Sequence, residues 1–405
     1  MKRLLSILLL LTAGCASIDR ADPYADTLCQ LTVTVAYPEE YAEYRREGVT
    51  VSVEIDRGNS YKAVTDAEGR ISLRISNGIY RIQVNDKIDG FIFNGTADKV
   101  KLVDRDIAMD LPLSRSTAGE IVIKEIYCGG CMRTPQEGQY QYDKYVILHN
   151  NTSEIQYLDS LCFGVLDPYN SQATNVWVKQ NEQTGATEFP DFVPIVQALW
   201  QFGGDGTTFP LQPGEDAVIC CCGAIDHAAQ YPLSVNLNKP GYFVLYNNTY
   251  FPNTLYHPAP GDRIETDHYL NVVIKTGIAN AYPLSIFSPA PVIFRIQGMT
   301  AQEYVRQEGN VIQKPGSNSD NVIKIPVQWV IDGVEVFYGG SSNNKKRLSQ
   351  EIDAGYVTQS EIYLGRTLHR HVDEEASKEA GYEVLVDTNN SSADFYERSQ
   401  QSLHE

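Results

Sequence analysis

The sequence has few basic residues and few long apolar runs, and both shortages restrict what the protein can be. Lys and Arg number 33 against 51 Asp and Glu, so the 405-residue chain carries a formal net charge of −18 at pH 7. A surface with this excess of acidic groups repels the phosphates of nucleic acids, and a nucleic-acid partner is therefore disfavoured. No apolar run reaches the about 20 residues that a membrane-spanning helix requires, so we expect no transmembrane segment.

Recognisable catalytic signatures are also missing. The chain contains no nucleophile elbow, no phosphate-cradling loop and no His-Glu-x-x-His motif. Its acidic residues are too numerous and too scattered for any two to be singled out as a glycosidase pair. We therefore expect a protein that is not an enzyme and that needs no cofactor.

The start of the chain has the pattern of a lipoprotein export signal. Two basic residues precede an apolar run from Leu4 to Leu11, which is too short to span a bilayer and fits the hydrophobic core of a secretory signal. Three small residues then come directly before Cys15, as a lipoprotein signal peptidase requires. We expect residues 1–14 to be removed, Cys15 to be lipid-modified as the membrane anchor, and residues 15–28 to form a tether. The alternative is an ordinary signal peptide with an incidental cysteine.

Aromatic and β-branched residues are frequent after the leader, and helical periodicity is scarce. Tyr (25) outnumbers Phe (13) and Trp (3), and such residues suit the half-buried surface of a pleated sheet. Residues 29–113 contain alternating segments such as Leu31–Val35, a Thr-Asp-x-x-Gly turn that begins at Thr65, and the hairpin signal Asn77-Gly78. The turn and the hairpin resemble those of a carboxypeptidase-regulatory or transthyretin-like domain. We expect a small Greek-key β-sandwich here, followed by a flexible linker at residues 114–119.

Residues 120–405 are predicted to form a second and larger β-sandwich. An Ile-rich strand at 121–127, a strand that ends in Asn-Asn-Thr-Ser at 150–153, and the run Asp387-Thr388-Asn389-Asn390-Ser391 resemble parts of a lamin-tail-type immunoglobulin-like domain. One departure is Ile147, where lamin-tail domains usually carry Glu. The length exceeds that of a simple sandwich of about 100 residues. We therefore expect insertions at 181–209, 246–267 and 299–321, the last with a helix that begins with a capping box at Thr300 and Glu303.

As a whole, the chain resembles a family of anchored lipoproteins from Bacteroides-type bacteria that is known only as domain of unknown function 4876. The Asp-Thr-Asn-Asn-Ser run is the most specific part of this resemblance. The resemblance implies an all-β, immunoglobulin-like fold and a place in the cell envelope, with the lipid anchor in the outer membrane, facing either the periplasm or the cell surface. It implies no reaction.

Seven cysteines remain when Cys15 is set aside, and their spacing leaves several interpretations open. Cys128 and Cys131 have the two-residue spacing of a zinc knuckle or a redox pair, although the βαβ context of the redox pair is absent. Cys220 and Cys222 would share one face of a strand, so these four thiols could together bind a metal ion. The alternative is buried structural thiols, with or without disulfide bonds, and the odd number leaves at least one thiol unpaired in a monomer.

A second candidate site is the aromatic segment Tyr242–Tyr256, in which Tyr residues lie beside Asn and Thr. Such a mixture stacks on, and hydrogen-bonds to, polar ligands or protein surfaces. We predict ligand contacts from four of its residues: Tyr246, Tyr250, Phe251 and Tyr256. The alternative is a hairpin whose aromatic side chains belong to the core.

The oxygen-rich run at 387–391 begins like a calcium-binding loop but does not continue as one. Ser392 and Arg398 stand where such a loop needs Gly and a bidentate Glu. We expect its Asn and Asp side chains to hydrogen-bond nearby backbone groups instead.

Two functions are compatible with these patterns. The first is an anchored, non-enzymatic binding or accessory module of an outer-membrane uptake or adhesion assembly, with an outer-membrane β-barrel receptor, another protein or a glycan as its partner. The second is an exported metal-handling protein or metalloenzyme that uses Cys128, Cys131 and the Cys220–Cys222 run. A metal analysis combined with a count of free thiols separates the two.

Overall fold

Two groups of β-sheets follow one another along the chain, and each encloses its own core. The computed structural model describes residues 28–43, 47–55, 60–180, 187–282, 284–340 and 342–404. The predicted signal peptide, Cys15 and nearly all of the predicted tether lie outside the described residues. Strands account for 40% of the structure and helices for 7%, which confirms the prediction of an all-β sandwich.

The first unit consists of two sheets that face each other. Its strands are β1 (Leu28–Ala36), β2 (Thr50–Ile55), β3 (Ser60–Val64), β4 (Arg70–Ser76), β5 (Gly78–Ile88), β6 (Phe91–Leu102), β7 (Ile107–Pro112) and β8 (Ser114–Ser116). The three-stranded sheet has the order β4-β1-β7, and the five-stranded sheet has the order β3-β2-β5-β6-β8. The alternating pattern that predicted β1 is confirmed, because Leu31, Val33 and Val35 point into the core while the residues between them do not.

The second unit contains most of the chain and is built on a six-stranded and a seven-stranded sheet. Its longer strands are β9 (Ile121–Tyr127), β12 (Tyr145–Asn150), β14 (Cys162–Leu166), β17 (Phe192–Gln201), β19 (Asp216–Cys220), β21 (Asn271–Lys275), β22 (Pro291–Phe294), β24 (Asn321–Pro326), β25 (Val330–Gly333), β28 (Thr367–Arg370) and β29 (Phe395–Arg398). Its shorter strands are β10 (Cys131–Met132), β11 (Gln139–Tyr140), β13 (Gln156–Tyr157), β15 (Lys179–Gln180), β16 (Thr187–Glu188), β18 (Pro210–Leu211), β20 (Phe243–Val244), β23 (Val311–Gln313), β26 (Val336–Tyr338) and β27 (Val357–Gln359).

The two large sheets are covered on both faces. The orders are β20-β19-β12-β9-β28-β29 and β23-β24-β17-β14-β22-β25, with β21 paired to β17. Apolar side chains from both sheets, among them Ile123, Leu148, Phe163 and Trp200, form the central core. Further apolar clusters cover the two outer faces, so every residue of β12 is buried. Ile147, the departure from the lamin-tail pattern, packs in the outer cluster of the six-stranded sheet, where a Glu carboxylate would be desolvated.

Helices are few and short. They are α1 (Ala301–Arg306), α2 (Glu374–Ala380) and α3 (Ser391–Asp394), with 3₁₀ turns at Glu39–Tyr41, Thr266–His268 and Val327–Trp329. The predicted capping box of α1 is confirmed, because Thr300 Oγ accepts from the Glu303 backbone N–H while the Glu303 carboxylate accepts from the Thr300 N–H. None of the helices described is long and apolar enough to cross a membrane.

Three local predictions were wrong. Asn77-Gly78 is not a hairpin, because β4 and β5 belong to different sheets and the chain crosses from one sheet to the other there. The predicted insertion 181–209 contains β17, which pairs with β14, β21 and β24. Asp332-Gly333 also has the composition that predicts a hairpin turn, but both residues lie in β25, which pairs with β22.

The predicted linker is held by hydrogen bonds rather than left free. Residues 114–116 form β8, which pairs with β6. The rest of the predicted linker is bound by residues 387–394, here called the joint loop. Asp387 Oδ2 accepts from the Gly119 N–H at 2.6 Å, and Asn389 Nδ2 donates to the Thr117 carbonyl at 3.0 Å. Asn94 of the first unit is fully buried and donates to the Thr388 carbonyl at 2.6 Å. The joint loop therefore fixes the first unit against the second.

Beneath the joint loop lies a buried ion cluster, the Arg370 cluster, which consists of Arg370, Asp332, Asp387 and Asp394. The Arg370 guanidinium lies 2.7 Å from Asp332 Oδ2, 3.0 Å from Asp387 Oδ1 and 3.4 Å from Asp394 Oδ2. One cation faces three carboxylates, so not every carboxylate is compensated. Burial raises the pKa of Asp332 to about 6 and that of Asp394 to about 7, with Arg370 opposing the rise and Asp387 adding to it.

These raised pKa values make the Arg370 cluster a source of pH-dependent stability. A carboxyl whose pKa is higher in the folded than in the unfolded chain stabilises the fold fully below its unfolded pKa of about 4, and this stabilisation is lost as the pH rises towards 7. We expect Asp394→Asn to remove that loss, so that the stability of the variant relative to the parent increases by about 2 to 4 kcal/mol from pH 4 to pH 8. Denaturant unfolding at a series of pH values measures the difference.

Asp332→Asn is the matched control, because hydrogen-bond geometry separates the two sites. In the parent chain the Thr388 hydroxyl donates to Asp394 Oδ1 at 2.6 Å. In Asp394→Asn the new NH₂ can take the place of Oδ1 and donate to the Thr388 hydroxyl, which then acts as the acceptor. At Asp332 both carboxylate oxygens accept from N–H groups, among them those of Ile123 and Gly333. In Asp332→Asn the new NH₂ group would therefore face another N–H donor. Asp332→Asn should therefore destabilise the fold by about 1–3 kcal/mol. Equal pH profiles for the parent and Asp394→Asn would contradict the assignment.

Candidate functional site

The four thiols predicted to bind metal are not brought together. Three of them have hydrogen-bond acceptors of their own: Cys128 donates to Gln359 Oε1, Cys131 to Asp143 Oδ2 and Cys220 to the Leu237 carbonyl, at 3.0, 3.7 and 3.9 Å. All seven cysteines from Cys29 to Cys222 are buried and free of disulfide bonds. Burial raises the pKa of Cys128 and Cys131 to about 12, which opposes the thiolate form that binds metals. The predicted metal site at Cys128, Cys131, Cys220 and Cys222 is therefore corrected to separate structural thiols.

Within the described ranges, one group has the spacing of metal ligands, and a lysine already provides the cation there. Ligand atoms of His149, Asp216 and Glu383 lie within 4.8 Å of one another. The Lys124 ammonium lies 2.6 Å from Asp216 Oδ2 and 2.5 Å from Glu383 Oε1. Burial alone would raise the pKa of Asp216, but His149 and Lys124 outweigh it and hold the pKa below its usual value. This group is a hydrogen-bonded ion network that holds residue 383 against the six-stranded sheet.

The aromatic segment predicted to contact a ligand is divided between core and surface. Phe251 is fully buried and stacks on Trp200 at a centroid distance of 5.6 Å, so its predicted ligand contact is wrong. Tyr246 is half-buried and packs edge-on against Tyr269. Tyr250 is 43% exposed.

Neighbouring residues 250 and 251 therefore offer a matched comparison. Phe251→Ala should destabilise the fold by about 3–5 kcal/mol, because it empties a site in the central core. Tyr250→Ala should change the free energy of unfolding by no more than about 0.5 kcal/mol, because the side chain is largely in solvent. Chemical denaturation of both variants measures the two values. Similar losses from the two substitutions would show that the loop is packed differently.

Tyr256 remains at the surface and leads to a site that the sequence did not indicate. Its ring meets that of Tyr142 edge-on at 4.7 Å, which joins the loop at 247–257 to the one at 128–142. The Asn253 N–H donates to the Asn280 carbonyl at 3.1 Å and so joins 247–257 to 276–282. The Tyr363 N–H donates to the Gly129 carbonyl at 2.9 Å and so joins 359–365 to 128–142. These four linked loops are here called the loop cluster.

Apolar side chains project from all four loops of the loop cluster. The most exposed are aliphatic: Ile278 is 82% exposed and Leu255 is 63% exposed. Leu364, Tyr250 and Met132 follow at 44%, 43% and 41%. Five of the fourteen large hydrophobic side chains that are exposed in the described structure therefore belong to this one cluster. Contiguous exposed apolar surface is typical of interaction sites.

The loop cluster is also almost free of charge. Of its forty residues only Arg133, Glu137 and Glu361 are charged, whereas 21% of the whole chain is charged. The Arg133 guanidinium lies over the Tyr231 ring at 5.7 Å. A surface depleted in charge and enriched in aromatic residues, Met and Arg has the composition of the centre of a protein–protein interface.

Backbone geometry at Tyr363 adds a further observation. Tyr363 has φ of 61°, in the left-handed region that a bulky residue rarely adopts. Hydrogen bonds from Tyr363 and Gly365 to the carbonyls of Gly129 and Gly130 hold this conformation. Backbone strain of this kind costs on the order of 1–3 kcal/mol and is concentrated at functional sites.

Comparison with known proteins finds a similarity to a family of unknown function in the C-terminal part of the chain. Residues 212–402 match the DUF4876 family, a protein family of unknown function. The DUF4876 match contains the whole Arg370 cluster and three loops of the loop cluster, whereas the loop at 128–142 precedes it.

Solved structures agree with this match. The crystal structure of a DUF4876 family protein from Bacteroides thetaiotaomicron is similar to this chain with a TM-score of 0.57 and 25% identity, covering 91% of this chain and 94% of that one. The Bacillus anthracis TIE protein (TM-score 0.18, 12% identity, 46% of this chain and 31% of that one) and a DUF3823 family protein from Parabacteroides merdae (0.17, 12%, 44% and 82%) are too distant to inform the fold. No curated protein matches the chain.

Proposed function

We propose that this chain is a lipid-anchored, exported binding module, without enzymatic activity, whose loop cluster docks onto a protein partner of an outer-membrane assembly. The observation that carries the proposal is the exposure of apolar side chains on four mutually bonded loops. Loops held on a rigid sandwich are where binding residues concentrate. The joint loop fixes the first unit to this sandwich, so the module presents the loop cluster on one relatively rigid body.

A protein partner fits the loop cluster better than a glycan does. Aromatic rings stack on sugars, but the most exposed side chains here are the aliphatic Ile278 and Leu255, which gain most by burial against other apolar groups. The lack of charge in the loop cluster favours an equally uncharged contact surface on the partner. The acidic remainder of the chain repels acidic surfaces, which limits where else a partner can dock. An outer-membrane β-barrel receptor or another envelope protein meets these requirements.

The anchor is tested by Cys15→Ser. The short apolar run that ends directly before Cys15 motivates the substitution. We expect the variant to lose lipid attachment and to appear in the soluble fraction, while the parent chain fractionates with membranes and incorporates labelled fatty acid. A Cys15→Ser protein that still carries the label and sediments with membranes would show that the anchor lies elsewhere.

The docking surface is tested by site-specific crosslinking in cells. A photo-reactive amino acid at Leu255 should give a defined, protease-sensitive crosslinked species, and the same residue at Val64, which is 62% exposed on the first unit, should not. The crosslinked protein is then purified and titrated with the parent chain. The double substitution Leu255→Asp and Ile278→Asp should weaken this binding at least about 30-fold, as at an interface hot spot.

The control variant and the salt dependence make this test decisive. Val64→Asp should leave the affinity unchanged, and raising the salt concentration from 0.05 to about 0.5 M should alter it little, because the contact is uncharged. A protease-resistant crosslinked species would identify a glycan instead. Equal crosslinking from Leu255 and Val64 would show that the loop cluster is not the docking surface.

A further inference from the structure

A separate cleft opens beside helix α1, away from the loop cluster. Its volume is about 320 Å³, at the lower end of the range of small-molecule sites. The turn at Ser160, the end of β17 at Gln201, the residues that follow β22 and the first turn of α1 surround it. The lining residues are Ser160, Gln201, Arg295, Ile296, Met299, Thr300, Ala301 and Gln302.

Arg295 gives this cleft its charge. Its guanidinium is half-buried and donates to two backbone carbonyls, those of Asp159 at 2.6 Å and Tyr157. A guanidinium has five N–H donors, so three remain without an acceptor in the part of the chain that the structure describes. Among the described residues no carboxylate forms an ion pair with Arg295, and those of Glu120 and Asp159 act on it only from a greater distance. The Asp159 carboxylate accepts instead from the N–H groups of Gly206, Thr208 and Phe209.

The other arginines buried in the second unit show what Arg295 lacks. Arg347 pairs with the Glu335 carboxylate at 2.6 Å, and Arg370 faces the three carboxylates of its cluster. Burying a cation without a counter-charge is unfavourable, and in these two cases the fold supplies the anion. At Arg295 the space for an anion is an open cleft instead.

The rest of the lining specifies what kind of anion fits. Ile296, Met299 and Ala301 provide apolar surface next to the guanidinium, while Ser160 and Gln201 add polar groups. The nearby Glu303 carboxylate is held by the Thr300 N–H and hydroxyl at 2.8 Å each. We propose that this cleft binds a small organic carboxylate, with the carboxylate on the guanidinium of Arg295 and the apolar part on Ile296 and Met299.

The acidic character of the whole chain does not prevent such binding. At physiological ionic strength charges more than about 8 Å away are largely screened. The local cation therefore determines the potential within the cleft. The planar guanidinium fork also matches the two oxygens of a carboxylate better than a single ammonium does.

Ligand-observed NMR with the full chain tests the proposal. The probes are benzoate, its neutral relative benzamide, and inorganic phosphate, which lacks an apolar part. We expect benzoate to bind with a Kd near 1 mM, phosphate to bind at least about fivefold more weakly, and benzamide to give no saturable signal. Arg295→Gln should abolish the benzoate signal.

A second variant keeps the test valid if Arg295→Gln fails to fold, since Arg295 also holds two carbonyls. Gln302→Glu places a carboxylate at the rim of the cleft without a change of shape, and should weaken benzoate binding about fivefold. Gln172→Glu makes the same change of net charge on an exposed residue outside the cleft and should have no effect. Equal binding of benzoate and benzamide, no benzoate binding at tens of millimolar, or equal effects of the two Glu variants would overturn the proposal.

Discussion

The Arg370 cluster is the interaction on which the arrangement of the two units depends. Arg370 lies in β28, but its guanidinium binds carboxylates from β25 and from both ends of the joint loop, and its Nε donates to the Ile123 carbonyl of β9 at 2.9 Å. The same carboxylates accept backbone N–H groups at Ile123, Gly119 and Thr388. One buried cation thus joins two strands of the six-stranded sheet, a strand of the other sheet and the segment between the units. Removing the cation would be strongly destabilising, because the three carboxylates would stay buried without their counter-charge.

This constraint has a consequence for how the module presents its surfaces. The joint loop is held by the Arg370 cluster in the second unit and by Asn94 of the first unit. Two units joined by a freely moving linker would sample many relative orientations, whereas here the loop cluster lies in a fixed relation to the first unit. Fixed geometry lowers the entropic cost of docking, since fewer orientations are lost on binding.

Part of this architecture could be predicted from local pattern alone. Alternation in β1 and the Thr300–Glu303 capping box follow from contacts within a few residues, and both were predicted correctly. The errors occur where contacts with segments distant in the sequence determine the structure. Residues 192–201 lie in the predicted insertion 181–209, yet they form a central strand because β14, β21 and β24 all pair with it. Asn77-Gly78 has the composition of a hairpin, but the strands on either side of it pair elsewhere. Phe251 was indistinguishable from Tyr250 by composition, and only the position of Trp200 placed it in the core. The loop cluster required four distant segments to meet, which no single pattern could indicate.

The way in which the fold compensates buried charges links these observations. The chain carries 51 acidic residues, and at several of the buried ones a cation or a row of N–H groups compensates the charge: Glu335 beside Arg347, Asp332 beside Arg370, and Asp159 over three backbone amides. Against this rule two places stand out. The loop cluster has only three charged residues among its forty and leaves apolar side chains in water, an arrangement that is typical of interaction sites. Arg295 is the reverse case, a half-buried cation that forms no direct ion pair with a carboxylate of the described chain. An apolar surface would complete the first place and a negative charge the second, and these are what the proposed protein partner and the proposed carboxylate ligand would supply.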